Sequence, residues 1–240
     1  PEDYGLLPDG RDPDAAIESP QDGAPQVARG DGPTTAAPAS LSVEATFTVK
    51  QALKTRAFWQ MAIAMGFGQL VMSASIHQIP AITSFGFTRE TAGLVMLAVS
   101  FTSLIGRLGS GWVGDALDKR KVIAAAFAFQ LIGTVIFANT STPLHLVGFV
   151  VFWGLGFGTS IPVRFALLAD YFGRRHFGSV MGIMMTVSTI FGVVGPVFVG
   201  WMFDVRDNYR DPFMIMSLTV LVAIPLILGV TRPKQASTSG

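Results

Sequence analysis

Gly111-Trp112-Val113-Gly114-Asp115-Ala116-Leu117-Asp118 followed by Lys121, and Gly200-Trp201-Met202-Phe203-Asp204-Val205-Arg206-Asp207 followed by Arg210, share one pattern, G-W-x-x-D-x-x-D-x-x-[K/R]. Each copy closes a long apolar segment, and three apolar segments separate the end of one copy from the end of the other. Three crossings of a bilayer reverse direction, so the copies are expected to face opposite sides of a membrane. Three-helix units repeated with inverted topology are the internal symmetry of many secondary transporters. The repeat points to an all-helical membrane protein with a transport role before any single side chain is weighed.

Outward from the repeat, six apolar segments run at about 57–78, 90–113, 121–139, 144–168, 177–203 and 212–230. Each is near or above the ~20 residues that a spanning helix needs. The breaks carry turn chemistry or charge: Pro80 and Gly86, Asp118-Lys119-Arg120-Lys121, Ser141-Thr142-Pro143, Gly173-Arg174-Arg175, and Asp207-Asn208 up to Pro212. Six crossings bring both ends to one side, flanked by Lys50, Lys54, Arg56, Lys119, Arg120, Lys121, Arg174, Arg175, Arg232 and Lys234. The other side has Arg89, Arg206 and Arg210, two of them beside Asp204, Asp207 and Asp211. The lysine and arginine bias predicts that both termini lie in the cytoplasm of a cell (plasma or inner) membrane.

Composition agrees: 50% of the residues are apolar and only 14% are charged. The net charge of +1 hides a split, because the first 45 residues carry nine carboxylates against Arg11 and Arg29. The remaining basic residues cluster between apolar segments, which excludes a nucleic-acid footprint. Residues 1–45, rich in Pro, Gly, Ala, Asp, Ser and Thr, cannot bury enough apolar area to offset their ordering entropy and are expected to form a disordered cytoplasmic linker. Thr48-Val49-Lys50-Gln51 reads as a capping box, opening a short basic interfacial helix over 46–56. A transmembrane bundle over 57–231 and a cytoplasmic tail over 232–240 complete the expected organisation. The chain begins Pro-Glu-Asp with no signal peptide, and reads as a fragment lacking an upstream part.

Small residues fill the helix interiors, because in lipid it is close backbone approach that packs helices together. Gly192-Val193-Val194-Gly195-Pro196 is sharper: Pro196 removes a backbone donor, so a kink is expected at Gly192, Gly195 and Pro196. Arg107 lies eight residues before Asp115, roughly 12 Å of helix rise inside its segment. A permanent cation at that depth needs a partner or a watery cavity, and its planar fork suits a carboxylate. The alternative is an arginine that snorkels or pairs within the bundle. Arg164, after Pro162 and six residues before Asp170, has the same two readings. Asp115, Asp170, Arg174 and Arg175 cluster at the ends of neighbouring hairpins, where they read either as a gating charge network or as solvated loop charge. Lys119, Arg120 and Lys121 read as ordinary topology-setting charge. His77, just before Pro80, is a candidate for proton coupling or simply an interfacial anchor.

With no cysteine there is no disulfide and no thiolate metal site, and no nucleophile elbow, zinc-protease or phosphate-loop motif is present. No cofactor, metal or catalytic role is expected. The partners implied are a small organic anion, the lipid bilayer and the remainder of the carrier. A membrane sensor or assembly protein on the same scaffold, with Arg107 purely structural, is the reading from another class.

Gly106-Arg107-Leu108-Gly109-Ser110-Gly111-Trp112-Val113-Gly114-Asp115, ending in Lys119-Arg120-Lys121, resembles the loop motif between the second and third helices of a half in major facilitator superfamily transporters. Ala169-Asp170-Tyr171-Phe172-Gly173-Arg174-Arg175-His176-Phe177-Gly178 with Met181-Gly182 is similar to the bacterial branch related to monocarboxylate transporters and oxalate:formate antiporters, as is Thr48 through Trp59. The opening Pro1-Glu2-Asp3-Tyr4-Gly5-Leu6-Leu7-Pro8-Asp9-Gly10 resembles the stretch after their sixth helix. The resemblance implies the C-terminal six-helix half of a twelve-helix fold, moving a small monocarboxylate by alternating access and inactive as an isolated half. A dicarboxylate or formate antiporter is the alternative. It also implies that Arg107 contacts the substrate carboxylate. Three positions depart from the pattern: Ser103 replaces an aspartate of the animal monocarboxylate transporters, Ala116 a usual basic residue, and Asp118 a usual glycine. The segment from Gly178 to Asp204 also lacks the lysine that oxalate:formate antiporters use for a second carboxylate.

Overall fold

The computed structural model describes residues 47–173 and 175–233, with Asp115 described by its backbone alone. The expected linker over 1–45, most of the tail, and Arg174 lie outside the described residues. Among those described there are eight α-helices and no strand. The capping box forms as the spacing predicts. The Thr48 hydroxyl accepts from the Gln51 backbone N–H at 3.3 Å, and Gln51 Oε1 accepts from the Thr48 N–H at 2.9 Å. It opens α1 (Val49–Leu53), and Thr55 then caps α2 (Arg56–Ser73) by accepting from the Phe58 N–H.

The first apolar segment departs from expectation. α2 passes through a 3-10 turn (Ala74–His77) into α3 (Gln78–Ser84), so the helical run continues past Pro80. Pro80 falls in the first turn of α3, where backbone N–H groups have no intrahelical partner, so its missing donor does no damage. The break comes instead at Gly86, whose φ of 92° is open to glycine and strained for other residues.

The other segments extend beyond their apolar cores into α4 (Arg89–Ala116), α5 (Lys119–Ala138), α6 (Pro143–Phe172), α7 (Phe177–Arg206) and α8 (Arg210–Leu228). Thr88 and Asp118 cap α4 and α5, and Pro143 occupies the first turn of α6. Pro196 sits inside an unbroken α7, and Pro212 in the first turn of α8. These five helices are long and apolar enough to cross a membrane. α2 is not among them: Arg56, Gln60 and Gln69 lower its hydropathy, and it yields to the 3-10 turn.

α6 is packed between α4 and α5; α8 lies against α5 and α2, and α2 against α7. Phe58, Phe127, Phe137, Phe149 and Phe172 are among the fully buried side chains. Phe137 gathers the rings of Phe85, Phe149 and Phe213 at 4.6–5.7 Å. Two glycines set the closest backbone approaches. A Cβ at Gly158 of α6 would collide with the Ser103 carbonyl of α4, and one at Gly195 of α7 with the Leu70 carbonyl of α2. The outer faces of α4 and α7 remain apolar and uncovered, with Trp112 and Trp201, the tryptophans of the repeated motif, exposed on them.

Candidate functional site

Helical spacing places Phe157, Ser160, Ile161, Arg164, Phe165 and Leu168 along one side of α6. Arg164 is half-buried, and its Nε donates to the Ser160 carbonyl at 3.3 Å, which fixes the root of the guanidinium. It makes no ion pair among the described residues. Arg164 lines a cavity of about 190 Å³ between α2, α6 and α7. No carboxylate of the described residues lines it. Gln69 of α2 contributes an amide with no partner among the described residues. Ser188 and Thr189 of α7 spend their protons on the carbonyls of Met184 and Met185 and present lone pairs. The rest of the wall is apolar.

Arg107 is in a different setting. It stands exposed on α4, with its guanidinium carbon 5.7 Å from the centroid of the Phe157 ring. Phe157 lies two helical turns before Arg164 on the same stripe of α6, so the two cations serve one side of that helix, roughly 10 Å apart along its axis. Ser103, one turn before Arg107, is buried, and its hydroxyl donates to the Ser100 carbonyl at 2.8 Å.

His77 closes the 3-10 turn and reaches α7, with Nε2 3.1 Å from the Pro196 carbonyl. A carbonyl only accepts, so Nε2 carries the proton of this bond. Gly192 faces the Gln69 side chain and Gly195 the α2 backbone, so both glycines serve the α2–α7 approach.

At the Lys119 end of the bundle Asp170 pairs with Lys119, Oδ2 to Nζ 2.7 Å, and Arg232 donates to the Asp170 carbonyl at 3.1 Å. Asp118 forms a bidentate pair with Arg120, whose other nitrogen donates to the Val230 carbonyl at 2.7 Å. Arg120 beside it holds the Asp118 carboxyl below the usual carboxylate range. These groups edge a cleft of about 420 Å³. Arg175 is exposed in the α6–α7 turn and has no ion-pair partner among the described residues. Of the expected charge network, Arg174 and the Asp115 side chain lie outside the described groups.

Two features escaped the sequence. Lys119, read as loop charge, holds Asp170; 51 residues separate them and no local pattern announces the pair. Met65, Met181, Met184 and Met185 converge on the Arg164 cavity. The i, i+3, i+4 spacing of the last three was a signal within reach.

The sequence model of the Major Facilitator Superfamily matches residues 58–240. Monocarboxylate transporter 13 of Bos taurus is 23% identical over 64% of the chain and 36% of its own length. The uncharacterized transporter YycB of Bacillus subtilis (strain 168) is 26% identical over 68% of the chain and 42% of its own length. Monocarboxylate transporter 7 of Homo sapiens is 26% identical over 75% of the chain and 35% of its own length. The matches thus span well under half of each of these curated relatives.

Proposed function

This chain belongs to the major facilitator superfamily, a family of multi-pass membrane transporters and not of enzymes, and we propose that it is the C-terminal half of a carrier for a small organic anion. The sixth crossing in this reading is the composite of α2, the 3-10 turn and α3, with residues 1–45 as the cytoplasmic linker, α1 (Val49–Leu53) as an interfacial helix shorter than the expected 46–56 because Thr55 starts a new helix and Arg56 belongs to α2, and 232–240 as a cytoplasmic tail. An N-terminal six-helix half completes the carrier, and the apolar outer faces of α4 and α7 need either it or lipid against them. Loop charge supports both ends being cytoplasmic in the cell membrane. The half alone does not transport. In the complete protein the two bundles rock about a site between them.

The observation that carries the anion reading is Arg164: a permanent cation at spanning depth that lines a cavity and has, among the described residues, neither an ion-pair partner nor a carboxylate beside it on the cavity wall. A charge so placed is costly without a counter-ion, and a carboxylate arriving as substrate supplies one. Arg107, on the same side of α6 and resting on Phe157, is the second anion contact. A monocarboxylate is supported over a dicarboxylate, because among the described residues Arg164 is the single cation on the cavity wall, and Arg107, roughly 10 Å away along α6, lies outside it. The charges near Asp115, Asp170, Arg174 and Arg175 form the cytoplasmic gate in this reading, with Lys119 added to it. His77 is a candidate proton-coupling group, and Gly192, Gly195 and Pro196 are the place where α7 bends.

The test uses the complete carrier in vesicles, with small carboxylic acids and their amides competing for uptake. Acids should compete and amides should not. Arg164→Ala, verified to insert, should lower uptake by about 100-fold, as expected for losing charge-assisted hydrogen bonds to the anion. Equal competition by amides, or normal uptake by Arg164→Ala, would remove the anion reading.

A further inference from the structure

Four of the chain's ten methionines line the Arg164 cavity. Met181, Met184 and Met185 form a ridge on α7 at i, i+3 and i+4; Met65 faces them from α2, and Phe165 and Leu168 close the α6 side. Unbranched, polarisable thioethers adapt to the shape of what they hold and favour contact with aromatic rings. Met184 is buried, but Met185 is 45% exposed, so part of this ridge is not consumed by packing. The polar groups are grouped differently. Gln69 and, apart from the Nε held by Ser160, Arg164 supply donors with no partner among the described residues, and the two hydroxyls of α7 accept. The cavity therefore has one anion-binding corner and an otherwise apolar, deformable wall.

We infer that this cavity takes a monocarboxylate with an apolar body, its carboxylate on Arg164 and its body, an aromatic ring or a branched chain of similar size, against the methionine ridge. This rests on the reading of Arg164 as the anion's partner and deepens it to a substrate class. Size supports it: about 190 Å³ is somewhat larger than the ~150 Å³ apolar cavity that holds one benzene. Chemistry supports it too. Acetate or formate would leave the ridge in contact with water, and the second carboxylate of oxalate would meet thioether and phenyl groups without a second cation. Each methylene removed from water is worth about a fourfold gain in binding, so a ring-sized body is worth well over tenfold.

The experiment reads inhibition of uptake by the complete carrier in vesicles, with benzoate and 4-methylpentanoate set against acetate and oxalate, and benzamide as the uncharged control. Benzoate and 4-methylpentanoate should compete at least tenfold better than acetate or oxalate. Met185→Gln, at a partly exposed position that folding tolerates, and Met181→Gln should weaken benzoate about tenfold and leave acetate unchanged. Acids that compete without regard to the apolar body, while Arg164→Ala still loses uptake, sink this inference and leave the anion reading standing. Methionine variants that weaken acetate and benzoate alike also sink it, by reducing the ridge to core packing. Benzamide competing as well as benzoate removes the anion reading and this one with it.

Discussion

Arg107 and Arg164 look alike in the sequence, each a lone cation inside an apolar helix a few residues before an aspartate. The fold separates them. Arg164 is rooted by Ser160 and lines a cavity among three helices, whereas Arg107 stands on an open face of α4 with an aromatic ring beneath it. Depth along a helix states how costly a charge is. Direction depends on what packs against that helix, and here a contact between small residues decides it. Gly158 lets α4 come down onto α6 at Ser103, and this brings Arg107 over Phe157.

The strongest way to break the comparison is to force that contact apart. Gly158→Val places a branched side chain against the Ser103 backbone, which cannot yield as a side chain does. Overpacking of this kind costs about 1–3 kcal/mol or more. Thermal melting of the complete carrier in detergent should show a clear loss of stability, and unchanged melting would mean that α4 and α6 are not seated as described. A finer test trades charge geometry at the two sites. Arg164→Lys keeps the charge but loses the planar fork, and uptake should fall at least tenfold. Phe157→Leu removes the ring that lies under Arg107 and stacks on Trp153 at 5.1 Å; with Arg107 exposed, the cation–π part is roughly 0.5–1 kcal/mol, so apparent affinity should fall by a factor of about two to five. If Phe157→Leu proves the more damaging, Arg107 is the principal anion contact.

The smallest effect lies outside the membrane-spanning part. Arg120 lowers the Asp118 carboxyl, so its stabilisation is complete above the ordinary carboxylate range and is lost as pH falls through the lowered folded value. Asp118→Asn keeps an N-cap side chain and removes only the charge. Because the two side chains remain 32% and 34% exposed, solvent screens the pair, and the loss at neutral pH should stay within about 1 kcal/mol and vanish in strong acid. A loss that is the same at both pH values would assign the effect to the cap and not to the ion pair.

Most of the fold was legible because its signals are local. Apolar length marked α4 to α8, and Thr48 with Gln51 announced the capping box. Pro80 misled because proline removes a backbone bond in a helix interior but none in a first turn, and which applies depends on a 3-10 turn that no residue there spells out. The two arginines were legible as charges; their surroundings, the Lys119–Asp170 pair and the methionine ridge depend on helices distant in sequence.

The bond from His77 to Pro196 joins two irregularities. One is the 3-10 turn between α2 and α3, the other the proline within α7, where the carbonyl four residues earlier has no N–H to accept. Regular helix resists bending, and these are the points where each run is softest. Fastened together, they act as a linked pair of joints. Flexing α7 at Pro196 must either drag the 3-10 turn with it or break the imidazole contact, so this hydrogen bond makes two compliant points into one mechanical element.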